Sequence, residues 1–344
     1  MGHMPVSPSP ALPVAAAAAP GVARVLYASQ ARIDGPVFAE MERIRACAVR
    51  NNEPLGVHTA LAHQSGWFLQ WKEGPPDAVR RIMERVLQDP RHHGCRIMHR
   101  STGPRLLPGV WSMSIVQCED SAAEFEARVD QVDAVRLQGL QYAPAAVWRM
   151  LSTPLRHPCA DRQDTPGVFR RVMVCSAGGE ESFALVQHLA WLHRQEVVRR
   201  RFAGPQSLDV GSNYTDLPDG QGAVRVIAMA RNGLGLGLTR ALLADYPLVV
   251  LWCSGADARD EDLMERMVQA CADAPTPPVV MGLGASPAAH RAMFKLAHRA
   301  GLIYLDAAPV QGPDQAWEVI MGQLRVMRSA ANNLWRRSDF APAD

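Results

Sequence analysis

The stretch Gly66-Trp67-Phe68-Leu69-Gln70-Trp71-Lys72-Glu73-Gly74 decides how the first part of the chain folds. Its apolar and polar residues alternate as in a half-buried strand, where neighbouring side chains point to opposite faces. Phe68, Gln70 and Lys72 therefore share one face. A glutamine among core-facing residues must find hydrogen-bond partners or cost roughly a few kcal/mol. The expectation is a polar, planar group opposite Gln70.

Working outward, Gln64-Ser65-Gly66 reads as a turn that pairs this strand with Gly56 to Ala62 in a hairpin. Upstream, Arg24 to Tyr27 is a short strand. After Gly35-Pro36, Val37, Phe38, Met41, Ile44, Ala48 and Val49 recur at helical spacing, and the helix stops near Asn51-Asn52. Downstream, Pro75-Pro76 opens a helix that Asp89-Pro90 closes, and Arg96 to His99 and Val110 to Val116 read as strands. The order β-α-β-β-α-β-β predicts a ferredoxin-like α+β fold with two helices on one sheet. Ala122 to Val135 and Ala143 to Leu151 are predicted helices beyond it, and the proline-bracketed run from Thr153 to Gly167 is the natural boundary.

From Phe169 the pattern changes. Apolar runs at Arg171 to Cys175, Ser207 to Val210, Val224 to Ala230, Leu248 to Cys253, Pro278 to Leu283 and Ile303 to Asp306 read as strands. Helical runs at Phe183 to Leu192, Leu238 to Ala244, Asp260 to Ala272, Ala288 to Ala300 and Asp314 to Met327 lie between them. Continuous apolar strands separated by helices predict a doubly wound α/β domain with a mostly parallel sheet. The resulting division is a disordered leader (1–20), a first domain with its following helices (21–152), a linker (153–168), an α/β domain (169–330) and a tail (331–344).

Composition narrows the classes. The 344 residues suggest about two domains, and the formal charge of +2 gives no whole-protein drive toward nucleic acid or anionic membrane. Seven cysteines without a C-x-x-C pair support neither a disulfide framework nor a zinc site. No run approaches the roughly 20 apolar residues of a membrane span, and a cytoplasmic location is expected. Arg199-Arg200-Arg201 reads as a solvated helix end in preference to a phosphate-binding patch, and Gly233-Leu234-Gly235-Leu236-Gly237 as a flexible turn.

A sequential set of motifs runs from Val22 to Val116: Val25-Leu-Tyr27-Ala-Ser29, Arg50-Asn-Asn52, Gly56-Val57, Gly66-x-Phe68-x-Gln70-x-x-Glu73-Gly74, Asp89-Pro-Arg91-His92 and Trp111-Ser-Met113. This set resembles the BLUF family of flavin-based blue-light sensors. The resemblance implies FAD as cofactor, with Tyr27, Asn52 and Gln70 around the flavin ring. It implies that light drives electron and proton transfer from Tyr27, after which Gln70 rewires its hydrogen bonds, as an amide can do by exchanging donor for acceptor. It also implies that Trp111 and Met113 report the change and that Arg91 and His92 lie near the cofactor's phosphates. Core packing for Trp111, and a cation pair at a helix end for Arg91-His92, are the competing readings. The sequence departs from the family at His58-Thr59, at His63, and at Lys72, where an apolar residue is usual.

The second domain loosely resembles a small GTPase. The segment Val172 to Ser182 sits where a phosphate loop would, but Glu180-Glu181 replaces the Gly-Lys pair, and Gly282-Leu-Gly-Ala285 replaces the base-reading motif. A receiver or cobalamin-binding fold is the alternative. The expectation is a signalling regulator, not an enzyme, with no catalytic or metal-binding residue and an output through a protein partner, homodimerisation being left open. A light-independent scaffold that has lost its flavin is the alternative reading, and a nucleotide hydrolase the third.

Overall fold

A computed structural model describes residues 21–154, 168–205, 210–220, 222–272 and 274–338, with side chains described as far as 329. The expected leader, residues 155–167 of the linker, residues 207–209 of one expected strand and the end of the tail lie outside the described residues.

The first segment forms β1 (Val22–Ala31), α1 (Val37–Asn52), β2 (His58–Gln64), β3 (Trp67–Gly74), α2 (Pro76–Val86), β4 (His92–Gly103) and β5 (Trp111–Gln117), the order expected of a ferredoxin-like layer. Pro36 and Pro76 sit at the starts of their helices, where a missing N–H costs nothing. The hairpin turn places both Ser65 (φ 49°) and Gly66 (φ 78°) in the left-handed region, matching the twist of the strands it joins. Met41 and Ile44 of α1 pack over Leu61, Phe68 and Trp111, while Val79, Ile82 and Met83 of α2 cover Val25 and Tyr27. The opposite face carries α3 (Ala122–Leu137) and α4 (Pro144–Ser152), whose Phe125, Val129, Trp148 and Leu151 bury Leu26, Leu69 and Trp71. The α3 start is a capping box, Ser121 and Glu124 satisfying each other's backbone N–H groups.

The second segment contributes β6 (Phe169–Ser176), α5 (Glu181–His193), β7 (Val198–Ala203), β8 (Val210–Asp219), β9 (Gly222–Met229), α6 (Gly237–Ala241), β10 (Leu248–Trp252), α7 (Asp257–Cys271), β11 (Val279–Leu283), α8 (Pro287–Arg299), β12 (Tyr304–Ala307) and α9 (Gly312–Ser338). Strands β9, β6, β10, β11 and β12 are parallel neighbours, and β8 pairs antiparallel with β9. Helices α5 and α9 cover one face, and α7 and α8 the other.

The two segments share one sheet. Its order is β12-β11-β10-β6-β9-β8-β7-β5-β2-β3-β1-β4, joined where β5 and β7 pair antiparallel with Met113 opposite Ala203 and Gln117 opposite Arg199. This corrects the expected helix end at Arg199–Arg201, which is the middle of β7. Val198 and Phe202 are buried, whereas Arg199 and Arg201 turn outward, so the strand period of two is present but carried by arginine stems.

The expected flexible turn at Gly233–Gly237 is also corrected. It is a short 3-10 turn followed by the start of α6, packed against the loop before β5. The Leu238 N–H donates to Ser112 Oγ at 3.0 Å. A β-carbon on Gly237 would stand 2.7 Å from the Gly109 nitrogen, so glycine is needed for two backbones to touch. Gly237→Ala is therefore expected to cost about 1–3 kcal/mol, whereas Gly235→Ala, which meets nothing within 4 Å, stays within about 0.5 kcal/mol. Urea denaturation of the two variants makes the comparison.

Candidate flavin site

Cross-strand register assembles the site. On the face covered by α1 and α2, Tyr27 stands opposite Gln70, Gln70 opposite Leu61, Leu61 opposite Met113, and Met113 opposite Ala203. Between the two helices lies a cleft of about 190 Å³, walled by Ile44, Phe68 and Ile82 and by the polar residues Asn52, Gln70, Lys72, Arg91, His92 and Trp111.

Each expected site residue has a definite place. Gln70 is 7% exposed on the cleft wall. Asn52 ends α1, and its Nδ2 donates to Thr59 Oγ1 at 3.4 Å. Tyr27 is fully buried beside the cleft, its ring stacked at 6.3 Å on His92, and its Oη has no hydrogen-bond partner among the described residues. Burial, with Cys95 and Asp89 adding to it, pushes the phenol well above its ordinary pKa, so it keeps its proton in the dark. Burial pushes His92 down. Its Nδ1 and the Trp111 Nε1 are both buried without partners among the described residues. Met113 does not line the cleft but packs with Leu61, Trp111 and Ala203. Arg91 lies at the rim with its guanidinium engaged. Its Nε donates to both Asp89 oxygens at 2.9 and 3.1 Å, and Glu40 stands 3.8 Å away.

Two features were not foreseen. Glu73 is fully buried, pairs with Arg24 at 3.4 Å, and accepts from Trp71 Nε1 (3.1 Å) and from the Leu106 and Leu107 N–H groups (2.6 and 3.0 Å). It clamps the loop before β5 to β3, and its only sequence signal was its place at the end of the central strand motif. Asp89, Arg85 and Cys47 complete the rim. At the expected phosphate loop of the second segment, the Glu181 carboxylate bends over Gly178, where a β-carbon would lie 2.6 Å from Oε1.

Residues 22–114 match the family model described as BLUF, sensors of blue-light using FAD. These residues form a BLUF domain. Two relatives are the photoactivated adenylate cyclase subunits beta of Euglena gracilis and Euglena longa, 31% and 29% identical over 117 residues, each match covering 33% of this chain and 14% of the relative. The chain thus spans about a seventh of the length of these curated relatives. A solved structure titled "BlrB - a BLUF protein, dark state structure" is 26% identical, covers 35% of this chain and 87% of its own, and superposes with a TM-score of 0.26. The expectation that the chain is not an enzyme is corrected by these relatives. The proteins that carry the matching sequence are named as adenylate cyclase subunits, so a BLUF sensor does not argue against catalysis.

FAD is the chromophore of the BLUF family, and the cleft fits its ring. Apolar residues line it, and the buried ring nitrogens of His92 and Trp111, each costing about 1–3 kcal/mol while without a partner among the described residues, would be available to hydrogen-bond a bound planar heterocycle. Lys72 is the departure. It lines the cleft at 3% exposure, and burial pushes its ammonium down from 10.5 to about 8. The unfolded chain therefore binds one more proton between pH 8 and 10.5, so stability rises with pH across that window and the penalty is complete below it. Lys72→Met is expected to stabilise the flavin-free protein at neutral pH by about 1–3 kcal/mol, an advantage that disappears by pH 10.5. Urea denaturation at both pH values reads it.

Proposed function

We propose that the chain is a blue-light-responsive signalling protein, in which residues 21–152 sense light and residues 169–330 carry the output. The observation that carries this reading is the row Tyr27, Gln70, Leu61, Met113 and Ala203, which leads from the flavin cleft into a strand of the second segment. FAD bound in the cleft supplies the absorption of blue light and an electron acceptor. Tyr27 holds the transferable proton at Oη, buried and without a partner among the described residues. Gln70, on the next strand, presents an amide that can exchange donor for acceptor. Asn52 positions the end of α1, and Trp111 and Met113 pass the altered contact to β5 and thence to β7.

Magnitudes limit the device. One rearranged hydrogen bond is worth about 0.5–1.5 kcal/mol, whereas moving a population from 1:99 to 99:1 takes about 5.5 kcal/mol. A single Gln70 flip thus biases the output severalfold, and a larger response requires Trp111 and Met113 to repack with it. The output segment is read as GTPase-like. Its strand order β8-β9-β6-β10-β11-β12, with β8 alone reversed in that group, supports this. Glu181 over the loop after β6 argues against a bound phosphate there. Control of a protein partner fits this arrangement, and so does control of a catalytic output of the kind that the relatives' names state. Among the described residues, no helix is long and apolar enough to cross a membrane.

The test is the visible spectrum of the FAD-loaded protein before and after blue illumination. A reversible shift to longer wavelength is expected, and Gln70→Leu is expected to keep the flavin band without the shift. Hydrogen exchange at Arg199–Ala203 is expected to change with light in the parent protein and not in the variant. A shift that persists in Gln70→Leu would remove Gln70 from the mechanism.

A further inference from the structure

A second cavity lies across the sheet from the flavin cleft, bordered by Ser114 and Val116 of β5 and by the end of α4. Four arginines line it: Arg149, Arg171, Arg200 and Arg225. Two of them are matched by carboxylates. Arg149 pairs with Asp245, and Arg225 forks onto both Asp216 oxygens at 2.7 Å while also donating to the Thr153 and Pro154 carbonyls at 2.7 and 3.0 Å. Capping the end of α4 therefore accounts for Arg225.

Arg171 and Arg200 have no such explanation. Among the described residues, Arg171 has no carboxylate or hydrogen-bond partner and rests 4.4 Å from the Phe169 ring. Among the described residues Arg200 donates only to Ser212 Oγ, at 3.3 Å, from between Phe202 and Tyr214 (5.3 and 5.0 Å), and its buried Nε has no partner there. Burial lowers the pKa of both, and Arg149 and Arg225 repel Arg171 further. Aromatic faces offset part of a desolvated cation's cost, but a guanidinium fork is best satisfied by an oxyanion that accepts two parallel hydrogen bonds. The volume, about 40 Å³, is a few times what one water needs. It suits one tetrahedral group.

We propose that this cavity binds a phosphate-sized oxyanion on Arg171 and Arg200, supplied either as free phosphate or as the terminal group of a phosphomonoester. Bound there, the anion would neutralise the unmatched charge and tie β6 and β7, both of the second segment, to each other on the flank of β5.

The experiment is thermal denaturation of the full chain with FAD in the dark, comparing inorganic phosphate with chloride at matched ionic strength. Millimolar phosphate is expected to raise Tm by roughly 3 °C, with chloride inert. Arg171→Gln and Arg200→Met are expected to lose the response, and Arg199→Met, on the outward face of β7, to keep it. Phenyl phosphate separates the sources: equal or greater stabilisation assigns the site to a phosphomonoester, and stabilisation by inorganic phosphate alone assigns it to the free ion. Calorimetric titration of the parent protein with phosphate, which needs no variant, is expected to saturate at one ion per chain. Absence of a phosphate-specific response in the parent protein, or its persistence in Arg171→Gln or Arg200→Met, overturns the proposal.

Discussion

The backbone ladder between β5 and β7 is the constraint on which the rest of the molecule depends. Every strand edge presents N–H and C=O groups that must be paired, covered or left to water. Here the outer edge of the BLUF sheet is paired by a strand from the second segment. Once that ladder is in place, the loop before β5 and the start of α6 are forced together, and Gly109 and Gly237 are the residues that let them meet. The same ladder sets Ala203 beside Met113 on one face and Arg200 beside Val116 on the other. One face of β5 therefore looks toward the flavin cleft and the other toward the arginine-lined cavity.

Two charged residues stand side by side in the BLUF core, Lys72 and Glu73. Glu73 is buried with an arginine and three N–H donors, enough to replace the water it has lost. Lys72, one residue earlier and on the opposite face, has no comparable company and gives up part of its basicity instead. Adjacent residues on a strand thus meet opposite solutions to the same desolvation problem, because one points to the helices α3 and α4 and the other into the cleft.

The sequence was most informative where hydrophobic periodicity and proline agreed. The β-α-β-β-α-β-β order was legible because Pro36, Pro76 and Asp89-Pro90 punctuate it and because Phe68, Gln70 and Lys72 alternate cleanly. The cleft residues Asn52, Gln70, His92 and Trp111 were legible through motif spacing. Strand β7 was not, since three successive arginines hide a period of two that only Val198 and Phe202 reveal. Gly237 was misread for a related reason: a glycine that permits a long-range backbone contact looks, in sequence, like one that permits a turn. Nor could local pattern tell that Lys72 would stay in the cleft, because its position depends on α1 and α2 closing over it.

The ladder between β5 and β7 also bears on how the molecule is made. Synthesis is vectorial, and β5 leaves the ribosome well before the residues of β7 have been joined. Until they arrive, the Trp111–Gln117 edge has no native partner, in a run whose aromatic and branched side chains favour pairing with foreign strands. The BLUF sheet is thus completed only after the second segment has begun to emerge, and a nascent chain stalled between the two would hold a fully translated BLUF sequence with its β5 edge still open.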